Sequence, residues 1–132
     1  MLMDNTPLNY TVSIHYDRRL YSEDIAGSIV HALMLGRQGI ITDDDSATIV
    51  DGLKSICEEI RADEFPWRTD LEDIHMNIEN RLFQKIGEVA GKLHTGRSRN
   101  DQIAVDMRLY SKKVTGEVIA AINDFRAALI KI

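Results

Sequence analysis

The last third of this chain restricts its fold more than any other stretch. From about Asn100 the apolar positions run Ile103, Met107, Tyr110, Val114, Val118, Ala121, Ile122, Phe125 and Leu129, the three-and-four spacing of one helix face. No proline interrupts it. Roughly 33 residues at ~1.5 Å each predict a rod of about 50 Å. A helix of that length cannot bury its stripe against a few short neighbours and needs long partner helices. The pattern is still running at Ala128-Leu129-Ile130-Lys131-Ile132, with no cap, so the helix is expected to be truncated at its C-terminus.

The rest also reads as helix, because no stretch alternates apolar and polar residues for long enough to predict a sheet. Residues 1–16, with Pro7 and several Asn and Thr, are expected to be irregular. A first helix is predicted from Asp17 or Leu20 to about Gln38, burying Ile25, Ile29 and Leu33. Gly39-Ile40 would form its left-handed cap and hydrophobic contact. A second helix starts at a Thr42 cap, where Asp43, Asp44 and Asp45 complement the positive end of the dipole. Its stripe is Ile49, Leu53, Ile56 and Ile60, beside which Cys57 reads as a small buried hydrophobe. After a connector holding Phe65-Pro66-Trp67, a third helix is predicted, capped by Asp70 or Asp73. It carries Leu71, Ile74, Ile78 and Leu82 and stops at Gly87. The stretch from Gly87 to Gly96 is too broken by glycine to predict as helix.

Several classes of function fall away. The chain's 132 residues suffice for one modest domain. With a net charge of −5 it lacks the Lys and Arg excess of a nucleic-acid binder. No run approaches the ~18–20 apolar residues that cross a bilayer, and no basic region followed by an apolar run marks a secretory leader. Cys57, the single cysteine, cannot pair within the chain, and a cytoplasmic location is the expectation. His15, His31, His75 and His94 form no His-x-x-x-His pair, so no metal site is expected. There is no P-loop, dinucleotide fingerprint or Gly-x-Ser-x-Gly elbow.

Three polar clusters remain. Gly91 to Gln102 gathers Lys92, His94, Arg97 and Arg99 among Thr95, Ser98, Asn100 and Gln102, where a loop enters the long helix. Ser98 and Asp101 fit a capping box. Helix-start N–H groups, the dipole and two guanidiniums together suit a carboxylate or phosphate. Gly91 and Gly96 would let the backbone approach such a ligand. The alternative is a solvated basic turn that caps a helix. Asp70 to Asn77 holds His75 beside the apolar stripe, where spacing alone favours a satisfied helix-start histidine. Ser13 to Arg19 leads into the first helix, and ordinary capping by Asp17 is its simpler reading. Taken alone, these residues describe a helical protein with an anion-binding loop.

Three stretches then resemble one family. Gly91-Lys92-Leu93-His94-Thr95-Gly96-Arg97-Ser98-Arg99-Asn100-Asp101-Gln102 is similar to the argininosuccinate lyase version of a segment found across the fumarase/aspartase superfamily. Asp73-Ile74-His75-Met76-Asn77-Ile78-Glu79 resembles that family's acidic-Ile-His segment. Ser13-Ile14-His15-Tyr16-Asp17, with Asp24 to Ala32, resembles its opening helix. All three lie in the family's order and spacing over most of residues 10–112.

The resemblance implies an all-α fold. Residues 1–99 would form a mostly helical N-terminal domain with a substrate-binding loop, and 100–132 the start of the first long helix of a central bundle. The implied reaction is a reversible elimination, argininosuccinate to arginine and fumarate, with no cofactor, since the substrate carboxylate delocalises the developing charge. Arg99 and Asn100, with Ser98 close by, would hold substrate carboxylates, while Ser13 and Asp17 contact the arginine-like end. Asp73 and His75 would support the site through hydrogen bonds, and Thr95, Arg97 and Gln102 would shape it. The family's serine loop and Thr-His segment are missing, as is its Trp-Gly-Gly-Arg-Phe opening. The general base and acid are therefore expected downstream, with no catalytic residue in this chain, and the 132 residues alone are expected to be inactive. The family assembles its sites from several subunits of a homotetramer. Alternative readings are an inactive structural protein of the delta-crystallin kind, a binding fragment, or another fumarate-releasing lyase. Ser13, Asp17 and the His75 segment argue against the last.

Overall fold

A computed structural model describes residues 8–131; Pro7 and the rest of the first seven residues lie outside them. All regular elements among the described residues are helical. The stretch expected to be irregular contains two single turns, α1 (Leu8–Thr11) and α2 (Ile14–Asp17). The second forms because the Ser13 carbonyl accepts the N–H groups of Tyr16 and Asp17, each at 3.0 Å. A 3-10 turn (Arg18–Leu20) then leads into α3 (Tyr21–Arg37).

Helix α3 ends as its glycine predicts. Gly39 has φ +66°, its N–H reaches the Gly36 carbonyl, and the Ile40 N–H reaches the Leu35 carbonyl, the paired bonds of a Schellman cap. Burial falls one residue later than expected, on Ile41, while Ile40 is exposed. The predicted stripe also shifts: Ile25 is buried and Ile29 half-buried, but Leu33 is exposed and Ala32 and Leu35 take its place. The cause is close packing on α4 (Asp43–Arg61). Ser46 Oγ donates to the Ala32 carbonyl at 2.9 Å, and a Cβ on Gly36 would meet Ser46 Cβ at 2.9 Å. Small residues therefore face α4, and the larger Leu33 is turned outward.

Thr42 and Asp45 close a capping box at the start of α4, whose Ile49, Leu53 and Ile56 are fully buried. Cys57 is half-buried against the same core. Helix α5 (Ile74–Ile86) packs across α4 where Gly52 leaves room for Leu82. Of the two candidate caps it is Asp73 that works, accepting the Met76 N–H at 2.7 Å; Asp70 pairs with Arg68 instead. The glycine-broken stretch is a 3-10 helix, Gly87–His94, which buries Ala90 and Leu93. The α4–α5 contact also carries an ion cluster, with Arg81 and Lys85 both on Glu59 at 2.6–2.8 Å.

The Arg81 hydrogen bonds, opposed by burial and helped by Lys85, hold the Glu59 carboxyl well down, at about 2. A depressed acid contributes stability above its unfolded value of 4.5, which is lost as pH falls towards 2. Glu59→Gln should therefore cost about 2 kcal/mol at pH 7 in urea unfolding, and that cost should vanish near pH 2.

Helix α6 (Arg99–Ile130) spans 32 residues, about 48 Å. Its face against α3 buries two polar residues, Gln102 and Asp106, rather than the predicted apolar stripe. Ile103, Met107, Val118, Ile122, Phe125 and Leu129 are exposed, and past Tyr110 only Val114 is even half-buried among the described residues. The helix outruns its 17-residue neighbour α3, so its distal stripe lies beyond the elements packed on it among the described residues. No helix among the described residues is long and apolar enough to cross a membrane.

Candidate active site

Two clusters that are far apart in sequence meet through one backbone atom. The carbonyl of Glu72 accepts the N–H groups of Ser13 (2.9 Å) and Ile14 (3.1 Å). Glu72 holds φ +64°, which is strained for a non-glycine residue. The strain turns the chain between the 3-10 turn Thr69–Leu71 and the Asp73 cap. Asp17 adds a second tie: its Oδ2 accepts the Ser13 hydroxyl at 2.5 Å and the Ile74 N–H at 3.4 Å. Its Oδ1 is buried with no hydrogen-bond partner.

Ser13, Asp17, Asp73 and His75 consequently line one cleft of about 540 Å³, roofed by Ile103, Met107 and Tyr110 of α6. Asn100 precedes Ile103, Met107 and Tyr110 by three, seven and ten residues, so helical periodicity sets it on the same face of α6 at the helix start. The neighbouring face of α6 carries Arg99, Gln102 and Asp106, again at intervals of three and four, and points towards α3.

That second face enters a buried polar network. Arg99 donates to Glu79 Oε2 at 2.6 Å and to Gln102 Oε1 at 2.8 Å. Gln102 Nε2 donates to Asp24 Oδ1 at 2.8 Å, and His75 Nδ1 lies 3.1 Å from the same oxygen and 3.7 Å from Asp106 Oδ2. Arg97 donates to Ser28 Oγ at 3.1 Å. Burial works against the Arg97 charge, Asp24 and Asp106 support it, and Arg99 adds repulsion. Burial and then the Asp24 charge push the Asp106 carboxyl up to about 7, against the pull of His75 and Arg97. For His75, burial is the largest single influence and disfavours its charge. The Asp24 hydrogen bond and the charges of Asp24, Asp73 and Asp106 together outweigh it and raise its pKa.

Asp24, His75 and Asp106 offer donor atoms within 4.8 Å of one another, close enough for a cation. However, the Gln102 amide already occupies the shared Asp24 oxygen and the Arg97 guanidinium acts electrostatically on both carboxyls. The cluster is engaged by the protein's own groups.

The anion cradle read from Gly91 to Gln102 takes a different form. Ser98 Oγ accepts the Asn100 N–H, Ser98 N–H donates to Asp101, and the predicted capping box consumes the helix-start donors. Both flanking guanidiniums have internal partners. Gly96 has φ +68°, as the turn into the cap requires, whereas Gly91 shows no such φ and stands in open space. The Thr95 carbonyl faces His31 Nε2 at 2.9 Å, and the residue lines a separate groove with Lys92 and Asp43. Asp24, Asp106, Glu72 and Glu79 were not singled out from sequence. The 99–102–106 spacing of polar residues was the available signal for Asp106; nothing local marks the carbonyl of Glu72.

The sequence also matches known proteins. A family described as Lyase matches residues 3–131. An argininosuccinate lyase of Citrifermentans bemidjiense is 56% identical over 121 residues, covering 92% of this chain and 26% of that protein. Argininosuccinate lyases of Nitratidesulfovibrio vulgaris (59% over 101 residues, 76% and 22%) and Carboxydothermus hydrogenoformans (50% over 129 residues, 98% and 28%) align similarly. The chain spans about a quarter of the length of these curated relatives. With a family match over nearly all its residues and relatives at this identity, the chain belongs to the lyase family.

Proposed function

We propose that the protein carrying this chain splits argininosuccinate reversibly into arginine and fumarate in the cytoplasm, and that these residues form one substrate-binding wall. The observation that carries the reading is the cleft that joins Ser13 and Asp17 to Asp73 and His75. Asp17 keeps one buried acceptor oxygen unused, a suitable partner for a guanidinium. Asn100 shares the face of α6 that roofs the cleft and would take a substrate carboxylate, with Ser98 beside it and Arg99 exchanging Glu79 for the substrate. Thr95, Arg97 and Gln102 act behind this wall. The general base and acid come from elsewhere in the protein. The uncovered apolar stripe of α6 supports assembly into a homotetramer through a long-helix bundle.

Calorimetric titration with arginine, succinate and fumarate tests the proposal. Arginine and succinate should each release heat. Asp17→Asn should weaken arginine at least about tenfold, the value of one charge-assisted hydrogen bond, with succinate unchanged. Absence of heat from all three ligands overturns the assignment.

A further inference from the structure

The Nδ1 edge of His75 is enclosed by two carboxylates from two other helices, Asp24 of α3 and Asp106 of α6, and all three residues are at least 96% buried. An ionised carboxylate only accepts hydrogen bonds, so Nδ1, 3.1 Å from Asp24 Oδ1, is the ring atom that carries the proton towards it. Nε2 makes no hydrogen bond among the described residues, while the ring lines the cleft beside Ser13, Asp17 and Asp73. The same Asp24 oxygen is tied through Gln102 to Arg99. We propose that Asp24 and Asp106 are positioning residues: they fix His75 as the Nδ1-protonated form and present Nε2 to the cleft, and Asp24 holds Arg99 in register with it through Gln102.

The physical logic is that of a histidine whose outer nitrogen does the work while an inner carboxylate sets its tautomer. With one carboxylate, the ring could rotate about its χ2 torsion and exchange nitrogens. A flipped ring would turn a C–H group towards both oxygens, so that Asp24 Oδ1 would lose the His75 hydrogen bond and keep only the Gln102 amide. Asp106 Oδ2 has no hydrogen-bond partner of its own and lies 3.7 Å from His75 Nδ1, while the charge of Arg97 also acts on this carboxyl. The charged groups around the ring come from each packed element: Glu23 and Asp24 on α3, Asp73 at the α5 cap, Arg97 before α6 and Asp106 on α6. Their balance is negative, which favours retention of the Nδ1 proton.

The inference rests on the cleft being the substrate site only for what Nε2 contacts; how His75 is held is independent of it. The test is nitrogen NMR of the 132-residue chain labelled at histidine, with the His75 signals identified by their loss in His75→Gln. In the unsubstituted chain, His75 should show a protonated, hydrogen-bonded Nδ1 at every pH at which the fold persists. Its titration midpoint should fall by about one pH unit in Asp24→Asn, and by less in Asp106→Asn. A His75 found as the Nε2-protonated tautomer in the unsubstituted chain overturns the proposal without any variant needing to fold. An unchanged midpoint in a folded Asp24→Asn chain, with helix content checked by circular dichroism, does the same. Succinate added to the labelled chain separates the two readings. If Nδ1 is fixed but His75 does not respond to succinate, the positioning role stands and the substrate cleft is refuted.

Discussion

Asp106→Asn is expected to stabilise the chain above pH 7 by on the order of 2–4 kcal/mol and to change little at pH 4. The carboxyl is 1% exposed, and burial with the adjacent Asp24 charge lifts it from 3.8 in the unfolded chain to about 7 in the fold. For an acid raised in this way, the stability tied to its neutral form is complete below about pH 4. That stability is lost as pH rises through 7, where the folded state must ionise a buried group that the unfolded state ionised long before. Asparagine keeps the shape and removes the charge. Urea unfolding of both chains at pH 4, 6 and 8 should give curves that coincide at the low end and separate at the high end. A difference independent of pH would mean that Asp106 is ionised throughout. A gain in stability from losing a native residue also suits a group kept for the site rather than for the fold.

The second large effect lies in the core. Leu53→Ala should destabilise the chain by about 2–5 kcal/mol, the usual range for deleting a fully buried leucine. Leu53 is 0% exposed, midway along α4 and next to the Gly52 seat that admits Leu82 of α5. The helices on either side are held by the close Gly36–Ser46 contact and by the Glu59 ion cluster, so the cavity cannot collapse easily. Against a typical total of about 5–15 kcal/mol, such a loss removes a large share of the stability. Leu33→Ala serves as the control: this leucine is 45% exposed, and its truncation should fall within about 0.5 kcal/mol. Thermal unfolding of the two variants side by side checks both values.

Most element boundaries were legible because local chemistry sets them. Thr42 with Asp45, Asp73 with Met76, Ser98 with Asp101, and Gly39 and Gly87 at the helix ends satisfy backbone groups within a few residues of themselves. Such contacts form whatever the rest of the chain does. The stripes of α4 and α5 were readable for a similar reason, since one face of each meets a single core. The stripe of α3 was read less well. Its small residues touch α4 and its polar ones touch α6, and periodicity of large apolar residues reports neither contact.

For the site, residue types and chemistry came from sequence and resemblance, but their grouping did not. That Ser13 and Asp17 share a cleft with Asp73 and His75 depends on the Glu72 carbonyl, a backbone atom common to every residue type and therefore silent in the sequence. That Arg97 and Arg99 turn inward, and that Asp24 of α3 and Asp106 of α6 are buried together, depends on which face of α6 meets α3. By itself the sequence determined the four long helices, most of their caps, the family and the long apolar stripe still in search of partners, because those are encoded by spacing and side-chain chemistry along one segment. Only the tertiary structure decided which polar residues are buried together, because a buried charge is tolerated or costly according to neighbours supplied from elsewhere in the chain.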